Sequence, residues 1–180
     1  MILVSSSKEA VTHKVFIGIG SNYEREKNIT LALTALRDTF GELLLSNVYE
    51  TVAMDSLARR NHANNYYNLA VGLNTKLSPL QTNQCLKAIE TSAGIRRNKV
   101  CPLDIDLLLY DDLIQHDAEL DLPRRDILDY AYVTIPLVEI NADQRHPETG
   151  KTFKEHSQSD NITHQKVWLT NFNEGKIHVS

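Results

Sequence analysis

The sequence predicts an α+β fold, a ferredoxin-like βαββαβ core whose mainly antiparallel sheet and packed helices form an α/β sandwich. Two observations carry this prediction. Four apolar segments with the period of strands alternate with two segments of helical period, in the order β-α-β-β-α-β. The sequence also contains no internal repeat or low-complexity tract, either of which would suggest another architecture.

The first half of the predicted core is a strand, a helix and a second strand. Residues 14–20 alternate between two faces, which predicts a strand that ends in a turn at residues 18–22. Residues 26–40 have apolar side chains at helical spacing, and Gly41 follows as the C-terminal stop. Residues 43–51 are predicted to form the second strand.

The second half begins with a long loop, because residues 52–65 show no apolar period. Loops of this length are often lids or binding elements. A third strand is predicted at residues 66–75. Ser78 then begins a helix as its N-cap, Gln81 completes a capping box, and Gly94 ends the helix.

A fourth strand at residues 103–110 completes the core. A hairpin at 111–122 and short helices at 126–130 and 135–140 are predicted to follow it. The last thirty residues are polar and show little periodicity.

Length and composition bound the domain organisation and the compartment. The 180 residues fit a flexible leader at 1–13, a single domain at 14–160 and a C-terminal tail at 161–180. The apolar run at residues 1–4 is shorter than the about 7–15 residues of a signal peptide. No stretch approaches the roughly 18 apolar residues of a membrane span. We therefore expect a cytoplasmic protein without a membrane partner.

The charge and the cysteines exclude further classes of protein. A formal net charge of −4 disfavours nucleic acid as the main partner, because binding to phosphate backbones usually needs a basic surface. The two cysteines do not form a Cys-x-x-Cys pair, so neither a zinc knuckle nor a disulfide framework is expected. The oligomeric state stays open.

Asp104 and Asp106 are the sharpest local feature. In a strand they project from the face opposite a row formed by Leu103, Ile105, Leu107 and Leu109. Two like charges on one face repel each other unless a cation lies between them, and carboxylates together with substrate phosphates suit magnesium. The spacing alone equally fits two aspartates that face water.

Basic residues flank this strand. Arg96, Arg97 and Lys99 occupy the turn before it, and Arg124 and Arg125 follow the hairpin. Beside a carboxylate pair they would neutralise the phosphates of a nucleotide. A solvated basic loop explains each of them as well.

Tyr66 and Asn68 share one face of the third strand. A ring that stacks and an amide that reads donors and acceptors suit a heterocycle, although a tyrosine at the rim of a core is also common.

Other motifs carry no function. The glycines at 18 and 20 do not form a dinucleotide-binding fingerprint, because its third glycine would fall at Tyr23. His62 and His146 have no partners at metal-ligand spacing and are expected to be structural or surface residues.

Taken together, these segments resemble the 6-hydroxymethyl-7,8-dihydropterin pyrophosphokinase family of folate biosynthesis, from about residue 15 to residue 153. Each piece is short, but their order and spacing are specific. The matching pieces are Gly18–Asn22, Tyr49–Thr51, Tyr66–Asn68, Ile89–Glu90 with Gly94, Leu103–Tyr110, Leu122–Arg124, Ala131–Val133, Pro136–Leu137, Glu139–Ile140 and His146–Pro147.

The resemblance implies a fold, a reaction and a site. The fold is an α/β sandwich, and the reaction moves the two terminal phosphates of ATP to the hydroxymethyl group of a dihydropterin, releasing AMP. Asp104 and Asp106 would hold two Mg²⁺ ions that bridge the ATP phosphates, and with Arg97 they would be the catalytic residues. The implied substrate pocket consists of Thr51, Val52, Ala53, Tyr66, Asn68 and Tyr132. The implied ATP-binding residues are Glu90, Arg96, Arg97, Lys99, Leu107 and Arg124.

Departures from the family pattern support a second hypothesis. The family normally has Gly-Arg-x-Arg and then Pro-Arg-Thr-Leu-Asp, where this chain has Gly94–Arg97 and Cys101–Asp104 with a shorter loop between them. Tyr130 also stands where many members have an arginine. At least one phosphate-contacting arginine is therefore missing. The alternatives are a weak or inactive paralogue that binds a pterin or nucleotide, and an enzyme for a modified pterin.

Overall fold

The alternating segments form an antiparallel sheet. The computed structural model describes residues 11–52, 65–95 and 100–172. Its strands are β1 (His13–Ser21), β2 (Leu43–Leu45), β3 (Tyr49–Thr51), β4 (Tyr66–Thr75), β5 (Asp104–Tyr110), β6 (Gln115–His116), β7 (Asp121–Leu122) and β8 (Trp168–Leu169). Six of them form one sheet in the order β5-β1-β4-β3-β8, in which β2 also pairs with β4, while β6 and β7 form the predicted hairpin. Every pairing in these ranges is antiparallel.

Helices cover both faces of this sheet. They are α1 (Arg25–Phe40), α2 (Pro79–Ser92), α3 (Asp126–Asp129), α4 (Ala131–Asn141), α5 (Phe153–Ser157) and α6 (Asp160–Thr163). The order β1-α1-β2/β3-β4-α2-β5 is the predicted βαββαβ core, which confirms the α+β fold class. No helix in the described ranges is long and apolar enough to cross a membrane.

Two apolar cores follow from the alternation of β1. Its odd-numbered side chains, such as Ile17, pack against α1 and α2 through Leu33 and Leu86. Phe16 faces the other way and packs against α4 and α5, with its ring edge-on to Phe153. The C-terminal helices thus cover one end of the second face, and the other end of that face carries the candidate site.

The two helices of the first face begin and end within two residues of their predicted bounds. The Ser78 hydroxyl accepts from the Gln81 N–H, and the Gln81 side chain accepts from the Ser78 N–H, which completes the capping box of α2. Gly41 ends α1 at a φ of 82°, where its N–H donates to the carbonyl of Arg37. A residue with a side chain is strained at this φ.

The prediction of one strand over residues 43–51 is wrong, because a bulge divides it into β2 and β3. Leu45 lies opposite Val71, whereas Tyr49 lies opposite Asn68, so the two strands slip by one residue between these pairs. At the slip the Ser46 N–H donates to the carbonyl of Ala70, and the Ser46 hydroxyl accepts from the N–H of Ala70. A side chain thus replaces a backbone acceptor at this point.

The predicted apolar row of β5 is correct only as far as Leu107. Ile17 of β1 lies opposite Leu107 and Phe16 lies opposite Leu109, which leaves Leu108 as an extra residue. Leu109 therefore packs in the second core beside Leu108 instead of continuing the row. Both aspartates precede this bulge, so their common face is preserved.

The C-terminal part of the chain is more regular than its polar sequence suggests. Helix α4 starts at Ala131 instead of residue 135, and α5 and α6 follow it. Within the expected tail at 161–180, β8 pairs with β3, and the Phe172 ring packs edge-on against Tyr67. β8 is therefore an edge strand of the sheet, where it pairs with β3.

His146 is a buried residue and not a surface one. It is 0% exposed, and neither ring nitrogen has a hydrogen-bond partner among the described residues. The ring of His156 lies edge-on to it, with 5.6 Å between the centroids. Burial first, and then the neighbouring His156, lower the pKa of His146, whereas the charge of Glu148 raises it slightly.

We expect this histidine to make folding stability depend on pH. The pKa of His146 is 6.5 in the unfolded chain and lower in the folded protein, so below pH 6.5 the unfolded chain binds the proton more readily. The free energy of unfolding therefore falls as the pH falls. The slope is at most about 1.4 kcal/mol per pH unit for one such group. We expect the free energy of unfolding in urea to decrease less between pH 7.5 and pH 5.5 in His146→Leu than in the wild type. Equal losses in both proteins would contradict this assignment.

Candidate active site

The site is built around Gly20, on the open end of the second face of the sheet. Gly20 lies within β1, opposite Asp104 of β5 on one side and Asn68 of β4 on the other. A Cβ atom at Gly20 would lie 3.3 Å from Asn68 Oδ1, 3.9 Å from Asp104 Cβ and 3.9 Å from Tyr66 Cδ1. The absence of a side chain at Gly20 therefore leaves a hollow that these three residues line.

Asn68 is held in one orientation. Its Nδ2 donates to the hydroxyl of Thr51 at 2.9 Å, and both side chains are buried. This bond directs the opposite end of the amide, Oδ1, towards the hollow above Gly20. The sequence predicted that the Asn68 amide hydrogen-bonds to the edge of a heterocycle. In the structure, Thr51 is the partner that orients this amide.

Tyr132 is the second residue of α4 and packs at the margin of the second core. Its ring stacks on Tyr130, with 5.1 Å between centroids and 19° between planes. Burial first, and then the charge of Asp126, raise the pKa of Tyr132, and Tyr130, Asp104 and Asp106 add to the rise. The phenol thus lies close enough to the aspartate pair to sense its charge, and it stays protonated at neutral pH.

Two cations flank Asp106. Lys87 Nζ lies 3.3 Å from its Oδ1, and Arg124 Nη2 lies 3.6 Å from its Oδ2. Arg124 is itself held by Asp126, to which its Nε and Nη2 donate at 3.0 and 2.6 Å. The structure therefore brings together the predicted residues Asp106 and Arg124, whereas Arg125 is exposed and pairs with Asp129.

Two side chains of α2 form hydrogen bonds with the backbone at the edge of β5, between the two aspartates. The Ile105 N–H donates to Glu90 Oε2 at 2.9 Å, and Lys87 Nζ donates to the Ile105 carbonyl at 2.8 Å. Lys87 also donates to Glu90 Oε2 at 2.7 Å. These bonds satisfy backbone groups at a sheet edge, which would otherwise be open to another strand.

Lys87 was missed by the sequence analysis. Burial lowers its pKa, but the hydrogen bond to Glu90 and the charges of Asp106, Glu90 and Asp104 outweigh this effect, so the pKa is raised. The available signal was its position three residues before Glu90, which places both side chains on one side of α2.

Comparison with known proteins decides the family. A model of the family described as 7,8-dihydro-6-hydroxymethylpterin-pyrophosphokinase (HPPK) matches residues 16–142. The chain belongs to the HPPK family. It is 33% identical over 147 residues to 2-amino-4-hydroxy-6-hydroxymethyldihydropteridine pyrophosphokinase of Synechocystis sp., covering 78% of this chain and 72% of the relative. It is 30% identical over 145 residues to the protein of the same name from Aquifex aeolicus, covering 78% and 88%.

Solved structures agree on the fold. Wild-type HPPK-DHPS of Plasmodium falciparum with STZ-DHP matches with a TM-score of 0.62 at 14% identity, over 83% of this chain and 43% of that one. The A437G/K540E form with pterin and p-hydroxybenzoate matches with a TM-score of 0.63 at 16% identity, over 83% and 44%. This chain thus spans less than half of those proteins, and at such identities the likeness shows the fold alone.

The remaining residues implied by the resemblance to the HPPK family fall into two groups. Val52 is partly exposed just after β3, while the Leu107 side chain is 3% exposed within the first core, so only its backbone is available to a nucleotide. Four others lie outside the described residues, namely Ala53, Arg96, Arg97 and Lys99. Gly20 was assigned to a turn after the strand, but it lies inside β1 and forms the floor of the site.

The aspartate pair fits a magnesium ion. Asp104 and Asp106 offer hard carboxylate oxygens on one face of β5, and the hollow above Gly20 lies beside Asp104. No cluster of three or more His, Cys, Asp or Glu side chains that could hold a metal occurs in the described ranges. Magnesium commonly accepts one or two carboxylates when substrate phosphates and water complete its coordination.

Proposed function

We propose that this chain transfers the pyrophosphoryl group of magnesium-ATP to 6-hydroxymethyl-7,8-dihydropterin and releases AMP, a step of folate biosynthesis. The observation that carries this proposal is the arrangement around Gly20, where Asp104 and the oriented amide of Asn68 lie beside the hollow and Asp106 follows on the same face of β5. Membership of the HPPK family supports the reaction class. The family name and this geometry point to the same pair of substrates, a nucleotide and a pterin.

The pterin side of the site consists of Asn68, Thr51, Tyr66 and Tyr132. A pterin ring carries donors and acceptors along its edge, and Asn68 offers a fixed amide to read them. The flat faces of the ring suit the aromatic side chains of Tyr66 and Tyr132. Because Thr51 holds the amide in place, Asn68 loses little side-chain freedom when the substrate binds.

The phosphate side consists of the aspartate pair and the cations around it. In the proposed reaction the hydroxymethyl oxygen attacks the β-phosphorus of ATP, the bond from that phosphorus to the α–β bridging oxygen breaks, and AMP leaves with this oxygen. The proton of the hydroxyl group is released to solvent. Arg124 lies beside Asp106, in position to neutralise the negative charge of a polyphosphate.

Magnesium dependence and ATP binding are part of the proposal. Asp104 and Asp106 would hold the ions, which when bound supply positive charge to the phosphate oxygens and lower the barrier to attack. We also propose that the reaction takes place in the cytoplasm, where ATP is plentiful, and that the partners of the chain are small molecules.

The test is to incubate the purified chain with magnesium-ATP and 6-hydroxymethyl-7,8-dihydropterin and to quantify AMP, ADP and the pterin product by chromatography and mass spectrometry. We expect AMP and a pterin diphosphate in equal amounts, and neither when the pterin is omitted or the metal is chelated. ADP with a pterin monophosphate would refute pyrophosphoryl transfer. Tight pterin binding without AMP would identify the inactive paralogue.

A further inference from the structure

Lys87 makes three contacts with its ammonium group, and they differ in length. Glu90 Oε2 lies at 2.7 Å, the carbonyl of Ile105 at 2.8 Å and Asp106 Oδ1 at 3.3 Å. A lysine ammonium has three N–H donors, so these contacts use all of them. The longest contact, to Asp106, is the one that can be given up while the other two still hold the side chain against β5.

The contact to Asp106 stands in the way of a cation. Both oxygens of this carboxylate lie near positive side chains, Oδ1 near Lys87 and Oδ2 near Arg124. A divalent ion that binds Asp106 must approach one of these oxygens, and a like charge at such a distance repels it. In the protein without substrates, Lys87 therefore competes with metal for Asp106.

The Arg124 side chain is less free than that of Lys87 to move away from Asp106. Two hydrogen bonds fix its guanidinium on Asp126, and its backbone N–H donates to the carbonyl of Leu108. The Lys87 side chain is 42% exposed and ends a flexible four-carbon stem. The side chain that can change partner is Lys87.

We propose that Lys87 exchanges partners during the reaction: it neutralises Asp106 in the substrate-free protein and contacts a phosphate of the nucleotide once a divalent ion has taken Asp106. The ion and the polyphosphate would bind together, so a phosphate of the nucleotide replaces the Asp106 carboxylate as the negative partner of the Lys87 ammonium. Lys87 is thus both a competitor of free metal and a ligand of metal-bound nucleotide. The inference rests on the proposed use of magnesium-ATP at this site.

The test compares Lys87→Met with the wild type in two binding titrations without pterin. Mn²⁺ alone, followed by electron paramagnetic resonance, should bind roughly 3- to 10-fold more tightly to the variant, because the competing charge is gone. Magnesium with α,β-methylene-ATP, followed by calorimetry, should bind roughly 5- to 20-fold more weakly, because a charge-assisted phosphate contact is lost. Lys87→Arg keeps the charge and should shift both constants less.

Lys27→Met is the matched control, since Lys27 forms an ion pair with Glu24 at the same spacing of three residues, at the start of α1 instead of on α2. It should change neither constant. If Lys87 only supports β5, Lys87→Met will bind Mn²⁺ equally or more weakly, and this result overturns the exchange. An unchanged affinity for the nucleotide overturns it as well. Both titrations are read without turnover, so a failure of pterin-dependent AMP formation in the wild type would refute the proposed function separately.

Discussion

Asp104→Asn and Asp106→Asn are each expected to form AMP about 100- to 1,000-fold more slowly than the wild type, the loss typical when one preorganised electrostatic contact to a transition state is removed. Asparagine keeps the size of aspartate and one oxygen but removes the negative charge that holds a divalent ion. The measurement is the rate of pterin-dependent AMP formation at saturating magnesium-ATP.

The control for this loss is Asp112→Asn, because Asp112 is exposed just beyond the end of β5. It should retain wild-type rates. Pterin binding, measured by fluorescence without ATP, should stay within about threefold of the wild type in all three variants, since Asn68 and the tyrosines do not depend on the metal. Full activity in Asp106→Asn would contradict the assignment of the aspartates to the metal.

Local patterns were sufficient to predict the core of the fold. The period-two alternation of β1 and the capping box of α2 depend on residues that are close together in the sequence. The two bulges depend on distant partners and were not predictable. Ser46 exchanges hydrogen bonds with Ala70, twenty-four residues later, and the place of Leu108 is set by its register with β1.

The same distinction separates the site residues that were predicted from those that were missed. Asp104 and Asp106 were found from the period of a strand alone, because their common face follows from their spacing. The role of Lys87 depends on its contact with Asp106, nineteen residues away on another element. The role of Gly20 depends on its neighbours on two other strands. A residue whose role is to leave space, or to contact a distant charge, gives no periodic signal in the sequence.

Asn68→Leu is expected to weaken dihydropterin binding roughly 10- to 100-fold. The substitution nearly conserves volume but removes the amide, so polar atoms on the edge of the pterin lose a partner in a buried place, at about 1–3 kcal/mol for each unsatisfied group. Affinity for the magnesium complex of α,β-methylene-ATP should hardly change, because the phosphate side of the site lies around Asp106. Calorimetric titration of each ligand measures both constants.

Asn74→Leu is the control, since Asn74 is an exposed asparagine six residues further along β4, on the same face of the strand. It should leave both constants unchanged. In Asn68→Leu the Thr51 hydroxyl also loses its donor, so the unfolding temperature must be compared before the constants are interpreted. Equal losses for pterin and nucleotide would mean that Asn68 supports the sheet as a whole, whereas a loss confined to the pterin identifies it as the residue that reads the ring.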